Sequence, residues 1–293
     1  MTIARSIAEA RAAVRGAREQ GACIGCVPTM GCLHDGHLSL VRIARARADA
    51  VVLTLFVNPA QFAPHEDLAR YPRAEARDLA LCRDAGVDAV FLPAPADMYA
   101  ANHSVYVVEE RLGRGMCGAS RPGHFRGVCT VVAKLFNLTL PHVAVFGRKD
   151  FQQAAIVRRL VRDLDFHVEI VVAPTVREPD GLAMSSRNRF LDPARRRQAL
   201  GLSRSLSAAR GAWAAGETDA AVVCARMRAA IAEQYGLRVD YVVCVDGETL
   251  EPAFALRPGV VLAVAAYAGD TRLIDNSVLG QEDPGRPPPT PPC

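Results

Sequence analysis

Apolar runs of strand length alternate with longer helical segments over the first two thirds of the chain, and this alternation limits the fold more than any other feature. The runs include ACIGCV at 22–27, AVVLTLFV at 50–57 and HVAVF at 142–146. Two more strands, VDAVFL and HVEIVV, are predicted, with helices over residues 1–20, 37–48, 66–84, 128–138 and 151–164. Wholly apolar strands separated by helices are typical of parallel sheets covered on both faces. We therefore predict an α/β fold with a doubly wound parallel sheet.

The pattern changes after about Asp192. An alanine-rich helical region is followed by VDYVVCV at 239–245, VVLAVAAYAG at 260–269 and TRLIDN at 271–276. This order predicts a smaller C-terminal α+β domain, whereas the Pro-rich end GQEDPGRPPPTPPC has little to bury. The expected domains are a catalytic domain over 1–186, a small α+β lid domain over 187–279 and a disordered tail over 280–293.

Composition excludes several kinds of protein. The 293 residues carry a net charge of +4, and the arginines are spread along the chain instead of gathered in the lysine-rich blocks expected of a polynucleotide binder. No apolar run approaches the roughly twenty residues that span a bilayer, and the N-terminus has no apolar signal core. We expect a cytoplasmic protein with a small anionic substrate and with no nucleic-acid or membrane partner.

Nine cysteines are scattered through the chain, an odd number without a repeated spacing, which favours reduced thiols in a cytosol. Cys23 and Cys26 form a CxxC, which is half of a zinc site, a redox pair, or two small hydrophobic residues of a strand. Because no second CxxC or CxxH follows, we interpret both as core residues.

The unusual polar motifs of the chain come at the ends of the predicted strands. PTMGCLHDGH (28–37), NPAQF (58–62) and FGRKDFQQ (146–153) each end or follow a strand, and DGLAMSSRN (180–188) comes after the last of them. Parallel α/β sheets bind ligands outside the carboxyl ends of their strands. We therefore expect these four motifs to line one crevice.

The motif PTMGCLHDGH links a strand to a helix. The N–H groups in the first turn of a helix have no intrahelical partner and, together with the helix dipole, attract phosphate oxygens. His34 and His37 add two donors, and Gly36 lets a flat base approach the backbone. The same spacing also fits a pair of metal ligands or two polar residues at a helix start. These residues alone leave the alternatives open.

HDGH resembles the HxGH signature of the nucleotidyltransferase superfamily, whose members catalyse attack of a substrate on the α-phosphate of ATP. AMSSRN at 183–188 resembles that superfamily's second signature, the KMSKS loop, with hydroxyls from Ser185 and Ser186 and a charged fork from Arg187. Within the superfamily, the chain is similar to the pantothenate synthetase family over nearly its whole length. The stretches that carry this resemblance are VPTMGCLHDGH, FVNPAQF, DLARYPR, ASRPGHFRGV, KLFNL, KDFQQ, DGLAMSSRN and RLIDN.

The resemblance implies a Rossmann-like catalytic domain and an ATP-dependent ligase. ATP would convert the carboxylate of pantoate into pantoyl adenylate with loss of pyrophosphate, and the amine of β-alanine would then displace AMP to form pantothenate. ATP as co-substrate, Mg²⁺ carried by ATP, and a homodimer belong to the same expectation. Two alternatives are a different HxGH nucleotidyltransferase and a catalytically impaired paralogue that binds nucleotide.

The resemblance also assigns catalytic and ATP-binding residues. His37 is expected to donate a proton, and His34, Lys149 and Arg187 are the other expected catalytic residues. The residues expected around ATP are Met30, Gly31, Cys32, Leu33, His34, Asp35, Gly36, His37, Gly147, Arg148, Lys149, Asp150, Val176, Met184, Ser185, Ser186 and Arg187.

The other substrates are assigned in the same way. The residues expected to contact pantoate are Gln61, Gln153, Met30 and His124. Gln61 and Asn58 are expected on the β-alanine side of the pocket. Asp78 is a candidate Mg²⁺ ligand.

Three positions differ from the usual pattern of the family. Arg148 stands where a glutamate is usual, which places a second positive charge beside Lys149. Cys117 also replaces a usual glutamate, ahead of RPGHF, so we expect a nearby arginine to lack a partner. Ala60 replaces a common methionine, which would enlarge a pocket wall slightly.

Overall fold

The computed structural model describes residues 1–64 and 66–281. The chain divides into two compact units. The first unit comprises Met1–Gly147 and Gln152–Ala173, and the second unit comprises Arg148–Phe151 and Pro174–Cys293. The domain boundary predicted between residues 186 and 187 stays a prediction. The predicted disordered tail lies outside the described residues from position 282 onwards.

Strands and helices alternate up to residue 173. The strands are β1 Thr2–Ala4, β2 Ile24–Thr29, β3 Ala50–Leu55, β4 Ala89–Phe91, β5 Val143–Gly147 and β6 Glu169–Ala173. The helices are α1 Ile7–Glu19, α2 Asp35–Arg45, α3 Glu75–Asp84, α4 Pro95–Met98, α5 Met116–Ser120, α6 His124–Thr139 and α7 Phe151–Asp163. Short 3₁₀ turns are formed by Pro59–Gln61, Asp67–Arg70 and Arg148–Asp150.

The six strands form one parallel sheet in the order β1-β4-β3-β2-β5-β6. This confirms the predicted doubly wound α/β fold. β3 and β4 follow β2 outwards in sequence order, β1 lies beyond β4 at that edge, and the chain then returns to β5 on the other side of β2. The loops after β2 and β5 therefore leave the sheet at the point where the strand order reverses, which is where such sheets bind ligands.

Two helix predictions were wrong in part. Residues 1–20 were expected to form one helix, but β1 precedes α1, because Ser6 caps the helix and accepts a hydrogen bond from the Glu9 N–H. Residues 66–84 were also expected to be one helix, and they form a 3₁₀ turn followed by α3. Pro72 stands between them and cannot continue a helix.

Both faces of the parallel sheet are buried. Val51 and Leu53 of β3 pack in a cluster with Val41 of α2, whereas Val52 packs with Val14 of α1. Successive side chains of a strand point to opposite faces. The continuous apolar runs of the sequence are therefore explained by helices on each side of the sheet.

The second unit contains a small antiparallel sheet covered by two helices. The strands β7 Leu237–Asp246, β8 Val260–Ala268 and β9 Thr271–Val278 pair in sequence order. Helices α8 Pro193–Ala214 and α9 Ala220–Ala232 pack against them around a core that includes Leu202, Met227 and Leu262. This confirms the predicted C-terminal α+β region.

The CxxC pair lies at the start of β2. The Cys23 thiol contacts the carbonyl oxygen of Arg47 at 3.5 Å. Cys26 is fully buried, and burial raises the pKa of its thiol to about 12. Such a thiol stays protonated at neutral pH and is a poor nucleophile.

The eight cysteines in the part of the chain that the structure describes are free thiols. Among the same residues, no helix is both long and apolar enough to span a membrane.

Candidate active site

The loop after β2 starts at Thr29, which is hydrogen-bonded to Thr54 of the neighbouring strand β3. The Thr29 hydroxyl donates to the carbonyl oxygen of Thr54 on β3 at 2.7 Å and accepts from the Gly31 N–H at 3.2 Å. Gly31 and Cys32 then adopt positive φ angles of 81° and 52°. Such angles are easy for glycine but cost a residue with a side chain conformational energy. The turn at Cys32 therefore needs support from elsewhere.

Asp78 provides that support. Its two carboxylate oxygens accept hydrogen bonds from the N–H groups of Cys32 at 2.7 Å and Leu33 at 2.8 Å, and the residue is only 2% exposed. Asp78 lies in the first turn of α3, where the helix dipole favours a negative charge. The structure thus gives Asp78 a positioning role toward the loop that leads into HDGH.

The assignment of Asp78 as a Mg²⁺ ligand stays a prediction. Both of its oxygens are already hydrogen-bonded to the backbone. Among residues 1–64 and 66–281, no group of three or more His, Cys, Asp or Glu side chains is arranged to hold a metal ion.

The two histidines of HDGH stand together at the start of α2. Their ring centroids are 4.0 Å apart, and the His34 N–H donates to Nδ1 of His37 at 3.3 Å. A neutral imidazole that accepts at Nδ1 carries its proton on Nε2. His37 therefore presents an Nε2–H donor at a helix start whose first-turn N–H groups also favour an anion.

A buried amide network lies after β3. Asn58 donates from Nδ2 to Gln61 Oε1 at 3.0 Å and to the Gly127 carbonyl oxygen at 3.1 Å, and its Oδ1 accepts from Tyr99 OH at 2.7 Å and Ala60 N at 3.2 Å. All four hydrogen-bonding positions of the Asn58 amide are thus used. Burial is the main reason that the pKa of Tyr99 is raised to about 12, so this hydroxyl stays a donor at neutral pH.

Gln61 is the member of this network whose amide N–H₂ group has only a weak hydrogen-bond acceptor. Its Nε2 lies 3.1 Å from Sδ of Met30, and a thioether sulfur is a weak acceptor. Gln61 is 7% exposed. An oxygen of a bound molecule would be a stronger partner for this N–H₂ group than sulfur.

Helix α6 packs directly on the NPAQ turn, which is formed by Asn58 and the 3₁₀ turn Pro59–Gln61. A Cβ added to Gly127 would lie 2.2 Å from the carbonyl oxygen of Ala60 and 2.6 Å from Cα of Gln61. Only glycine fits at this contact, because both neighbouring groups are backbone. The position of Gln61 is therefore fixed by close packing as well as by hydrogen bonds.

His124, at the start of α6, connects Gln61 to an ion pair. Arg121 donates to Nε2 of His124 at 3.0 Å, so Nδ1 carries the proton and donates to the Gln61 carbonyl oxygen at 2.9 Å. The Arg121 guanidinium also binds both oxygens of Glu66 at 2.6 and 2.7 Å. Burial disfavours ionisation of Glu66, but the hydrogen bonds and charge of Arg121 outweigh it and the pKa of Glu66 is lowered.

The expectation that an arginine near Cys117 lacks a partner was wrong for Arg121. Glu66, from a distant part of the sequence, pairs with it. Cys117 itself is buried, and its N–H donates to Oε1 of Gln152 at 3.0 Å.

Gln152 and Gln153 have different environments. Gln152 is 4% exposed and also donates to the carbonyl oxygens of Leu112 at 2.7 Å and Gly115 at 2.9 Å, so it fixes the segment before α6. Gln153 is half-buried on the next position of α7. Adjacent helical residues point about 100° apart, so only one of the two could face the protein interior.

The second unit contains the lysine turn, residues 148–150, and the serine–arginine loop, residues 180–188. Nζ of Lys149 lies 3.8 Å from Oδ1 of Asp150. In the loop, the Ser185 hydroxyl accepts from the Arg187 N–H at 3.3 Å and caps a 3₁₀ turn over Ser186–Phe190. The Met184 N–H donates to the Val176 carbonyl oxygen at 2.9 Å. Serine hydroxyls and the arginine are thus presented by an ordered turn.

The predicted site residues divide between the two units. The first unit holds the loop residues 30–37, Gly147, Asp78, Asn58, Gln61, His124 and Gln153, and it brings Met30, Gln61, Asn58 and His124 into one network. The second unit holds Arg148, Lys149, Asp150, Val176, Met184, Ser185, Ser186 and Arg187. The sequence alone indicated no role for Tyr99, Glu66 or Gln152, and none for the RLIDN motif. For Gln152, the only available signal was its position beside Gln153 in the QQ doublet.

Comparison with known proteins identifies the family. The family profile described as pantoate-beta-alanine ligase matches residues 2–278. The chain belongs to the pantoate-beta-alanine ligase family. A pantothenate synthetase from Moorella thermoacetica is 53% identical over 283 residues, which cover 97% of this chain and all of the relative. The motifs noted in the sequence thus lie in a full-length match.

Two solved structures give the same result. The pantothenate synthetase of Thermus thermophilus matches with a TM-score of 0.91 and 46% identity, covering 95% of this chain and 99% of that one. The pantoate-beta-alanine ligase of Francisella tularensis, complexed with beta-gamma ATP and beta-alanine, matches with a TM-score of 0.80 and 30% identity, covering 97% and 100%. Both matches therefore extend over the parallel sheet and the small C-terminal sheet of this chain.

Proposed function

We propose that the chain condenses pantoate with β-alanine to give pantothenate, AMP and pyrophosphate, with ATP as co-substrate and pantoyl adenylate as intermediate. The observation that carries this proposal is the family match over residues 2–278 in a chain that keeps both HDGH histidines, Lys149 and the two glutamines. A different HxGH nucleotidyltransferase should lack the paired pantoate-type glutamines, and the retained HDGH and MSSR motifs argue against a catalytically impaired paralogue.

The chemistry requires two steps. A carboxylate resists attack by an amine because oxide is a poor leaving group. In the first step a pantoate carboxylate oxygen attacks the α-phosphorus of ATP, and the bond to pyrophosphate breaks. In the second step the β-alanine amine attacks the acyl carbon, AMP leaves with the electron pair of the broken C–O bond, and the ammonium proton is lost. Water has to be excluded while the anhydride exists.

In this proposal the helix start of α2 acts on the leaving pyrophosphate. The Nε2–H of His37 and the ring of His34 donate hydrogen bonds to phosphate oxygens that gain charge as the bond breaks. Donors aimed at developing charge stabilise the transition state more than the ground state. Asp78 supports this role indirectly, because it holds the loop N–H groups of Cys32 and Leu33.

Lys149 and Arg187 contribute the positive charge that the triphosphate needs. A lysine is a point charge, whereas an arginine fork binds two phosphate oxygens at once. Ser185 and Ser186 add hydroxyl donors. These residues belong, with those of HDGH, to the set that the family resemblance assigns to ATP. The other assigned ATP residues supply backbone contacts or the adenine surroundings, with Met184 against the base.

Pantoate, which carries a carboxylate and hydroxyls, is assigned to Gln61 and Gln153. An amide can donate to the carboxylate and accept from a hydroxyl. Gln61 can exchange its weak contact with the Met30 sulfur for an oxygen of pantoate. Met30 also offers an apolar surface to the methyl groups of pantoate.

His124 and Asn58 have less freedom. Both ring nitrogens of His124 are already hydrogen-bonded, and so is every polar position of the Asn58 amide. We propose that they act on pantoate and β-alanine mainly by holding Gln61 in place.

Magnesium enters this proposal with ATP, since a triphosphate is normally handled as its Mg²⁺ complex. The carboxylate of Asp78 is engaged by two backbone N–H groups, which fits a positioning role better than a ligand role. A homodimer completes the proposal on the strength of the family resemblance, and a cytoplasmic location on the strength of the composition and the scattered cysteines.

The proposed function is tested by exchange of labelled pyrophosphate into ATP, measured with and without pantoate. Exchange that requires pantoate supports adenylation of its carboxylate. ATP binding without exchange would favour the impaired paralogue, and exchange that needs a phosphate ester in place of pantoate would favour a different nucleotidyltransferase.

A further inference from the structure

The RLIDN motif places two buried polar side chains next to each other on β9. Asp275 and Asn276 are 3% and 4% exposed, and they pair with Val264 and Ala263 of β8. Adjacent side chains of a strand point to opposite faces. One dipeptide can therefore contact two different segments of the second unit.

Asn276 holds the lysine turn. Its Nδ2 donates to the carbonyl oxygens of Arg148 at 3.0 Å and Lys149 at 2.9 Å. These two carbonyl groups belong to the peptide planes on either side of the Lys149 Cα. The two hydrogen bonds thus fix both planes to β9 and set the direction in which the lysine side chain leaves the backbone.

Asp275 holds the segment that carries the serine–arginine loop. The Arg177 guanidinium binds Oδ2 of Asp275 at 2.7 Å and Oδ1 at 3.2 Å, and it also donates to the carbonyl oxygen of Gly181 at 3.2 Å. The backbones of Arg177 and Ala183 form an antiparallel bridge. A bidentate pair fixes orientation as well as distance, so Asp275 determines where the loop starts.

We propose that Asp275 and Asn276 are positioning residues that set the lysine turn and the serine–arginine loop for the adenylation step. The inference rests on the proposed function, in which Lys149 and Arg187 act on the ATP phosphates. The residues assigned to pantoate and β-alanine belong to the first unit. Loss of either positioning residue therefore impairs adenylation more than the later attack of β-alanine on the adenylate.

Two variants of nearly unchanged size remove the contacts. Asn276→Asp replaces a two-donor amide with a carboxyl group that can satisfy at most one of the two carbonyl groups. Asp275→Asn removes the charge that binds Arg177. Because misplacement of about 1 Å costs on the order of 100-fold in rate, each variant is expected to lower pantoate-dependent pyrophosphate exchange by about 10- to 100-fold.

Ser277→Ala is the matched control. Ser277 is the next residue of β9, is 2% exposed and accepts from Arg210 at 2.7 Å, so its loss removes an equally buried hydrogen bond. This hydrogen bond involves neither the lysine turn nor the serine–arginine loop. We expect the variant to exchange pyrophosphate at the rate of the unchanged chain.

The deciding experiment measures both half-reactions in the full chain and in these variants. Pyrophosphate exchange reports adenylation, and amide formation from separately prepared pantoyl adenylate and β-alanine reports the second step. A positioning role predicts that exchange falls while amide formation is retained. Equal loss of both half-reactions, or normal exchange in Asn276→Asp and Asp275→Asn, would overturn it.

Folding is checked by the thermal unfolding of each variant. If Asn276→Asp does not fold, Asn276→Ser, which keeps one donor and adds no charge, takes its place in the same assays. If the unchanged chain shows no pantoate-dependent exchange, the proposed function fails and the positioning role fails with it. If the unchanged chain and the variants all show normal pantoate-dependent pyrophosphate exchange, only the positioning role is wrong.

Discussion

The two units hold their functional segments by different means. In the first unit, neutral amides and a glycine contact keep the NPAQ turn against α6, and backbone N–H groups are bound by a buried carboxylate. In the second unit, guanidinium–carboxylate pairs such as Arg177–Asp275 and Arg196–Glu178 hold the serine–arginine loop. The NPAQ turn of the first unit is therefore sensitive to volume, and the serine–arginine loop of the second unit is sensitive to charge.

This difference matches the tasks proposed for the two regions. A pocket that distinguishes one small hydroxy acid needs fixed distances, which close packing supplies. A segment that binds a triphosphate tolerates less exact packing, because charge acts over a longer range. Variants that change volume and charge separately therefore test whether the two units differ in this way.

The largest effect is expected for His37→Ala. Loss of a proton or hydrogen-bond donor to the leaving group should lower pyrophosphate exchange by roughly 100- to 10,000-fold. The fold should be retained, because the side chain is only half-buried at a helix start. Exchange kinetics with a thermal melt check this, and near-normal exchange would remove His37 from the mechanism.

Asp78→Asn is expected to be the next most harmful change. The amide can accept from only one of the Cys32 and Leu33 N–H groups and directs its own N–H₂ at the other. A buried unsatisfied N–H costs about 1–3 kcal/mol, so urea unfolding should report a loss of that size. Exchange should fall by about tenfold or more. Wild-type stability in this variant would contradict the role of Asp78 in holding the loop.

Gly127→Ala tests volume sensitivity in the first unit. The added methyl group meets the Ala60 carbonyl, so the NPAQ turn has to move, at a cost of about 1–3 kcal/mol. The Michaelis constant for pantoate should rise more than that for ATP. Gly211→Ala is the matched control, since a Cβ at Gly211 meets nothing within 4 Å. Equal effects from the two changes would argue against close packing as the cause.

Glu66 brings charge sensitivity into the first unit. Its pKa is lowered in the folded chain by Arg121, so the stability it contributes is complete above its unfolded pKa and is lost as pH falls through the lower folded pKa. The melting temperatures of the unchanged chain and of Glu66→Gln should therefore differ at pH 7 and converge in acid. A difference that stays constant with pH would refute the ion-pair explanation.

The smallest effect is expected for Arg148→Glu, which restores the glutamate usual in the family. Removal of a positive charge beside Lys149 should leave turnover equal or slightly improved. The steady-state rate at saturating ATP checks this. A large loss would show that this chain depends on Arg148.

The features that could be predicted from the sequence are those that depend on repeating patterns of residues. The parallel sheet followed from apolar runs such as AVVLTLFV, and the candidate site from motifs at strand ends. β1 could not be predicted, because three residues such as Thr2–Ala4 carry too little periodicity and gain their stability from pairing with β4.

Contacts between residues that are distant in the sequence could not be predicted either. Nothing near Arg121 indicates that Glu66 is its partner, and nothing near Asp78 indicates that it binds the Cys32 and Leu33 backbone. Such pairs are formed by the fold, so residue types and spacing alone could only suggest roles such as a metal ligand.

If the chain activates pantoate as an acyl adenylate, one oxygen of the pantoate carboxylate must pass to AMP, and isotope transfer detects this. Pantoate labelled with heavy oxygen in its carboxylate is incubated with ATP and β-alanine, and the released AMP is analysed by mass spectrometry. Acyl-adenylate formation predicts that a single labelled oxygen appears in the phosphate of AMP and none in pyrophosphate. Unlabelled AMP alongside newly formed pantothenate would contradict it.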